Sequence, residues 1–390
     1  MTFNMTPYEM QNRSCQATAT EIHQQPGTWY QTLNQLNPLF KALKSWIKTI
    51  TDQADFDVIF TGAGSSEYVG NALYVSLNPV LGYHARSFAS TAIVASPQYY
   101  LSKTKPTLLV SFARSGNSPE SLGAVQAADA YCTKLQHLFI TCNKDGALAG
   151  MAEGRTDCRS IVLADETNDR SFAMTSSFTN MYLAALSIFG DRPAEELLAA
   201  MDQIISGAED FLEKAYATTE NLVSEFAFER IVYLGTGPLK GFAQESALKM
   251  LELTAGKVAA LFDSPMGFRH GPKSIVNDTT LTVLFLSDEP AVRRYEMDLL
   301  KELSSQRKKN RILAVSSWKD SQAAALCDSF ISFDNDEKLP SAYLGLQYVL
   351  IAQCIALFKS LSYGIGPDNP CPSGEVNRVV KGVSLYPVEV

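Results

Sequence analysis

The sequence predicts an α/β protein of two tandem domains, each a parallel β-sheet flanked by helices. Three observations carry that expectation. Short apolar runs alternate with segments long enough to be helices, which is the pattern of βαβ units. The chain also repeats itself: Asp57-Val58-Ile59-Phe60-Thr61-Gly62-Ala63-Gly64 is echoed by Arg230-Ile231-Val232-Tyr233-Leu234-Gly235-Thr236-Gly237, which sets Gly62 and Gly235 173 residues apart. Nearly the same offset carries Leu108-Leu109-Val110 onto Thr282-Val283-Leu284, and Leu138-Phe139-Ile140 onto Ile312-Leu313-Ala314. Three echoes in register are harder to ascribe to chance than one. Finally, loops rich in glycine and hydroxyl groups follow two apolar runs of the first half, where an open parallel sheet places its ligand.

At 390 residues the chain can bury a large core, and length alone allows two or three domains. The repeat selects two. The first fifty residues are helical in pattern, one segment opening at Thr20-Glu21-Ile22 and a second spanning Pro38 to Ile47. Residues 51–215 form the first domain and 216–370 the second, joined by a run from Pro193 to Thr218 whose apolar residues (Leu197, Met201, Ile204, Ala208, Phe211) recur at helical spacing. Residues 371–390 read as an irregular tail that either hangs loose or folds over something.

A net charge of -8 and a pI near 5.2 argue against broad nucleic-acid contact. The first residues lack the blocks of a signal peptide, so the cytoplasm is the expected compartment. The most apolar stretch, Tyr343 to Phe358, contains Gln347 and Gln353 and is too short for a bilayer, so a buried helix is expected and no membrane partner. Cys15, Cys132, Cys142, Cys158, Cys327, Cys354 and Cys371 contain no C-x-x-C pair; reduced, mostly buried thiols are expected rather than disulfides or a metal site.

Ala113-Arg114-Ser115-Gly116-Asn117-Ser118 follows the run Thr107 to Phe112 and precedes a helix beginning at Pro119. Side-chain donors, helix N–H groups and the permanent charge of Arg114 would converge there on an anion. Gly62-Ala63-Gly64-Ser65-Ser66 is a second loop of this kind. It is not a dinucleotide fingerprint, because Glu67 stands where G-x-G-x-x-G needs its third glycine. Hydroxyls in place of glycines suit a phosphate monoester better than a pyrophosphate, although each loop could also be a plain strand-to-helix turn. A third cluster, Thr175-Ser176-Ser177-Phe178-Thr179, opens a helix expected over Asn180 to Phe189; it could add donors to the same site, but taken alone it reads as an N-cap.

In the second half Glu245, Lys249 and Glu252 share one face of a helical segment. Such spacing commonly makes a surface ion-pair ladder. Here Gly267-Phe268-Arg269-His270-Gly271-Pro272 follows, setting a histidine in a turn bounded by glycine and proline, whereas His23, His84 and His137 have no comparable setting.

In this order of elements the chain resembles, over nearly its whole length, the sugar isomerase (SIS) family of phosphosugar enzymes and binders. The resemblance implies two SIS domains of flavodoxin-like, three-layer construction. The second half is similar to the isomerase half of glucosamine-6-phosphate synthase in Glu245 to Glu252, in His270-Gly271-Pro272 and in a C-terminal lysine. That implies Glu252 as catalytic base, His270 for ring opening and Lys381 as the catalytic tail lysine. It also implies Gly64, Ser65, Ser66, Arg114, Ser115, Asn117, Ser118, Thr175, Ser176 and Ser177 around the phosphate and sugar. Ala113 and Arg114 depart from the serine and glutamine of the synthase loop, so contacts there differ in detail. Thr2 stands where the synthase's glutaminase has its cysteine, and there is no room for that domain, so ammonia is not expected to come from glutamine.

The tail Gly366-Pro367-Asp368-Asn369-Pro370-Cys371-Pro372 resembles stand-alone bacterial proteins of the AgaS type, which are similar to galactosamine-6-phosphate deaminase/isomerases and are often named tagatose-6-phosphate ketose/aldose isomerases. The resemblance implies conversion of galactosamine 6-phosphate to tagatose 6-phosphate and ammonia, with no cofactor. In related isomerases the histidine comes from the neighbouring subunit, which implies at least a homodimer with a shared active site. Two alternatives stay open: a phosphosugar isomerase that removes no nitrogen, and a non-catalytic phosphosugar-binding regulator. The regulator would not need Glu252, His270 and Lys381 together.

Overall fold

The computed structural model describes residues 1–380 and 382–387. It contains two five-stranded sheets, both wholly parallel. The first is built from β1 (Asp57–Gly62), β2 (Ala85–Ala89), β3 (Thr107–Ala113), β4 (Leu135–Thr141) and β5 (Cys158–Val162), in the order β2-β1-β3-β4-β5. The second is built from β6 (Arg230–Leu234), β7 (Ala259–Asp263), β8 (Thr280–Phe285), β9 (Arg311–Ser316) and β10 (Ser329–Ser332), in the order β7-β6-β8-β9-β10. Each sheet therefore has the same strand order counted from its own first strand. The strands β1, β3 and β8 are buried at every residue, as strands covered on both faces must be.

The sequence echoes fall on β1 and β6, β3 and β8, and β4 and β9. The duplication reaches the backbone dihedrals. Gly64 has φ 58°, ψ −128° and Gly237 has φ 59°, ψ −127°, left-handed values that favour glycine, and each immediately precedes a helix. Two residues earlier, a Cβ on Gly62 would lie 2.5 Å from the Ser66 backbone, and one on Gly235 would lie 2.5 Å from the Leu239 backbone. Both glycines let the new helix fold back tightly against the strand end.

The chain divides into two compact units, neither of them contiguous. Gly27–Asp169, Met174–Leu197 and the described residues from Gly374 onward surround the first sheet. Its buried helix, Ser176–Phe189, is held by polar contacts to helix Gln25–Leu36: the Trp29 indole donates to Thr179 Oγ1 at 2.9 Å and Thr32 Oγ1 donates to Asn180 Oδ1 at 2.7 Å.

Met1–Pro26, Arg170–Ala173 and Leu198–Ser373 surround the second sheet. Helix Ser341–Ser362 is buried along almost its whole length and packs along helix Pro238–Leu253, where Gly345 admits the Phe242 ring. At 22 residues it is longer than the sequence suggested, and it is long and apolar enough to cross a membrane; within the unit its apolar window is entirely buried. Gln347 Nε2 donates to the Ile204 carbonyl at 3.1 Å, and Gln353 Oε1 accepts from Gln25 at 2.6 Å.

Helix boundaries near the N-terminus differ from the expectation. The first of the two segments runs Gln16–His23 instead of opening at Thr20. Its early N–H groups are satisfied from far along the chain: the Asp368 carboxylate accepts from Ala17 at 3.0 Å and from the Thr18 N–H and hydroxyl at 2.7 Å each. The second runs Phe40–Thr51 behind a single 3₁₀ turn at Asn37–Leu39. The run after Pro193 is helix Ala194–Asp210, a π turn Phe211–Ala215 and helix Ala217–Glu225.

Because both glycines meet backbone at the same distance, Gly62→Ala and Gly235→Ala should each lower the unfolding free energy by roughly 1–3 kcal/mol. Urea denaturation checks this, and a loss confined to one of the two would refute the equivalence of the loops.

Candidate active site

In the first sheet the strand order reverses between β1 and β3, which are neighbours in register from Asp57↔Thr107 to Thr61↔Ser111. Loops 62–66 and 113–118 leave the carboxyl ends of these two strands and so flank the crevice at the switch point. Helix Ser65–Leu77 begins directly after the left-handed Gly64 with no side chain capping it, so its first N–H groups face the loop. Gly64 is exposed at the rim; Ser65 and Ser66 are buried, and the Ser66 hydroxyl contacts Met174 Sδ at 3.8 Å.

Loop 113–118 is fixed by the loop that follows β4. Asn143 Nδ2 donates to the Ser115 carbonyl at 2.8 Å, and the Leu148 N–H donates to the Gly116 carbonyl at 2.9 Å. Gly146 allows this approach, since a Cβ there would lie 2.5 Å from the Ser115 carbonyl oxygen. Ser115 Oγ accepts from the Asn117 N–H at 3.3 Å, and Asn117 Oδ1 accepts from the Ala147 N–H at 2.9 Å. Ser118 caps helix Pro119–Tyr131 through the Ser121 N–H at 3.3 Å. Ser115 and Ser118 are half-buried and Asn117 is exposed. Arg114 is buried and donates to the main-chain carbonyl of Arg378 at 2.9 Å.

The third hydroxyl cluster is built around a carboxylate of the protein itself. The helix begins at Ser176, not Asn180, and its first turn closes on Asp169. The Asp169 carboxylate accepts the N–H groups of Thr175, Ser176 and Ser177 at 2.8, 3.0 and 2.9 Å, and the hydroxyls of Thr175 and Ser177 at 3.1 and 2.5 Å. All four residues are fully buried. Donors expected to face a ligand are thus directed at an internal anion. Asp169 was missed because it lies six residues before the cluster, outside the spacing of a local cap. Asn143 was missed because it acts from another strand's loop.

In the other unit Glu245, Lys249 and Glu252 lie on helix Pro238–Leu253. They are not a surface ladder: the side chains of Glu245 and Lys249 are fully buried and that of Glu252 is 23% exposed. Lys249 Nζ lies 3.2 Å from Glu245 Oε1 and 2.5 Å from Glu252 Oε2. Burial by itself would lower the Lys249 ammonium, but the two carboxylates outweigh it and hold its pKa above the ordinary value. Glu252 Oε1 makes no hydrogen bond among the described residues, so one oxygen is held and the other is available for chemistry. His270 is exposed, on the turn that follows helix Pro265–Phe268, and is fixed through its N–H to the Gly267 carbonyl at 2.9 Å. Lys381 lies outside the described residues.

No family model matches the chain. A D-galactosamine-6-phosphate deaminase AgaS from Shewanella sp. (strain ANA-3) is 41% identical over 373 residues, 95% of this chain and 92% of the relative. The chain belongs to the AgaS family. Solved structures agree: a Clostridium novyi NT protein with the provisional name tagatose-6-phosphate ketose/aldose isomerase is 41% identical, with a TM-score of 0.96 over 100% of this chain and 99% of its own. The tagatose-6-phosphate ketose/aldose isomerase of Escherichia coli is 36% identical, with a TM-score of 0.87 over 96% of this chain and 97% of its own. The two sheets of this AgaS-family chain are tandem SIS domains.

The second SIS domain has its own switch point, between β6 and β8, and carboxylates stand at the loop that leaves β8. Glu296 is fully buried and accepts the Ser287 N–H at 2.7 Å. Asp288 accepts the Leu339 N–H at 3.0 Å and the Ser317 hydroxyl. The Ser287 N–H of this loop is thus answered from within. Burial pushes the Glu296 carboxyl up to about 7, against the Ser287 N–H and the Thr236 hydroxyl, which favour its ionised form.

From its ordinary value of 4.5 up to about 7, the folded protein holds a proton on Glu296 that the unfolded chain has lost. The associated stability is complete below the lower value and disappears as pH rises through the upper one. Unfolding free energy of the wild type relative to Glu296→Gln should therefore fall by up to ~3 kcal/mol across that window. Denaturation at a series of pH values measures it; a constant difference would show that Glu296 does not titrate there.

Proposed function

We propose that this protein is an aminosugar-phosphate deaminase/isomerase that converts D-galactosamine 6-phosphate and water to tagatose 6-phosphate and ammonia. The observation that carries this reading is the likeness to a D-galactosamine-6-phosphate deaminase over 95% of the chain. We place the enzyme in the cytoplasm, where a charged phosphosugar is retained, and in an assembly of at least two copies, without nucleic-acid or membrane partners.

The crevice between β1 and β3 supports the anchoring role. The start of helix Ser65–Leu77 after Gly64, the half-buried Ser115 and Ser118 and the Arg114 guanidinium suit a phosphate dianion. The phosphate does not react, so its binding energy can be used to orient the reacting carbons of the sugar. Thr175, Ser176 and Ser177 contribute indirectly in this reading: their N–H groups, with the hydroxyls of Thr175 and Ser177, fix the start of the helix through Asp169.

Glu252 takes the proton-transfer role. With Oε2 held by Lys249, Oε1 removes the proton from C2 of the open-chain aminoaldehyde and returns it to C1. The product is an imine at C2; water adds there, the C–N bond breaks and ammonia leaves, which makes the overall reaction a C–N hydrolysis coupled to isomerisation. His270 exchanges a proton with the ring oxygen during opening, and Lys381 assists at the sugar hydroxyls. Each such proton transfer is typically worth roughly 10²–10⁴-fold.

Incubation with galactosamine 6-phosphate, without added metal or nucleotide, should release ammonia and a ketose 6-phosphate in equal amounts, read by a coupled ammonia assay. Ketose formation only from a nitrogen-free aldose phosphate would instead select plain isomerisation, the activity in the names of the two solved relatives. Glu252→Gln should reduce turnover by at least about 10²-fold while phosphosugar affinity stays within a few-fold, because only proton transfer is removed. Turnover near the wild-type rate would assign the base to another residue.

A further inference from the structure

The C-terminal segment has no secondary structure of its own to hold it: residues 374–380 and 382–387 form neither helix nor strand. It is nevertheless docked on the unit of the first sheet at two places. At the first, Arg114 of the candidate phosphate loop donates from Nη2 to the Arg378 carbonyl at 2.9 Å. The Arg378 guanidinium in turn donates from Nε to the Asp169 carbonyl at 3.1 Å, and from Nη2 to the same carbonyl, with Asn168 Oδ1 at 3.5 Å. At the second, Leu385 lies over Gly123 on the helix that follows the loop; a Cβ on Gly123 would fall 3.0 Å from Leu385 Cδ2. The glycine leaves room for the tail.

We propose that Arg378 is a positioning residue for the phosphosugar site, clamping the C-terminal tail across loop 113–118 so that filling the phosphate loop and docking the tail are coupled. This rests on the reading above that the loop takes the substrate phosphate. The cation of the phosphate loop holds the tail's main chain, and the cation of the tail holds the main chain of Asp169, whose carboxylate anchors helix Ser176–Phe189. A phosphate dianion beside Arg114 holds in place the guanidinium that carries the tail's main chain, so the docked tail is favoured when the loop is occupied. The fork geometry of arginine lets two donors meet one carbonyl, which a lysine ammonium does not reproduce.

Hydrogen–deuterium exchange of residues 374–387 in the full-length protein, with and without saturating inorganic phosphate, tests the coupling. Phosphate should slow exchange of the tail in the wild type and leave it unchanged in Arg378→Ala. With galactosamine 6-phosphate, Arg378→Ala should lose at least about 10-fold in kcat while affinity for inorganic phosphate shifts much less, and Arg378→Lys should fall between the two. Tail exchange indifferent to phosphate in the wild type overturns the proposal, as does phosphate-dependent slowing that persists in Arg378→Ala or wild-type kinetics in that variant. If Arg378→Ala does not fold, Arg378→Lys decides: undiminished slowing and kcat overturn the proposal. The two readings fail separately. Ammonia release with a phosphate-insensitive tail defeats the clamp alone, and a phosphate-sensitive tail without ammonia release defeats the deaminase reading alone.

Discussion

A parallel sheet with the order β2-β1-β3-β4-β5 can open a crevice in only one place, and that constraint organises the chemistry of the first domain. Right-handed crossovers send the chain from β1 to one side of the sheet and from β3 to the other, so the two departing loops part at the carboxyl ends of adjacent strands. Strands buried at every residue offer no polar surface along their length. The groups able to meet a charged ligand therefore gather at the strand ends, where helix N-termini begin and backbone N–H groups lack partners. The second domain obeys the same constraint and has the same glycine conformation after its first strand. It differs in side chains: where the first domain offers Ser115, Asn117 and Ser118, the second has Asp288, Glu289 and the buried Glu296. Topology made two crevices, and they differ in carrying hydroxyls in one and carboxylates in the other.

Carboxylates also act at a distance to hold helix starts. Asp169 closes the first turn of helix Ser176–Phe189, and Asp368 closes that of Gln16–His23. Hydrogen bonds to charged groups contribute more than neutral ones, about 1.5–3 kcal/mol each, and in a dry interior an unanswered N–H would cost a comparable amount. These contacts explain how hydroxyl-rich segments can be fully buried. They also show why a run of serines and threonines does not by itself identify a ligand site.

The triad Glu245, Lys249 and Glu252 illustrates the energetics of a buried charge. Removing carboxylate and ammonium from water costs several kcal/mol per ion, so the arrangement persists only with partners at contact distance, as at 3.2 and 2.5 Å here. Glu252 stands at the edge of that cluster, partly exposed, with one oxygen fixed by the ammonium. A carboxylate held in this way keeps its orientation without a further rotamer change.

By itself the sequence determined the elements whose signals are local or periodic. Apolar runs located the strands, the echo between Gly62 and Gly235 disclosed the duplication, and the departure from a dinucleotide fingerprint at Glu67 pointed toward a phosphate monoester. Helical spacing put Glu245, Lys249 and Glu252 on one face. The tertiary structure alone decided which of those groups faces an interior and which donors are already in use: the spacing of the triad is the same on a surface and in a core, and hydroxyls at 175–177 look alike whether they meet a ligand or Asp169. Helix Gln16–His23 and the tail at Arg378 depend likewise on partners hundreds of residues away, Asp368 and Arg114. The physical reason is range. Periodicity and dihedral preference act between neighbours in sequence, whereas desolvation and the pairing of buried charges depend on what the fold brings alongside.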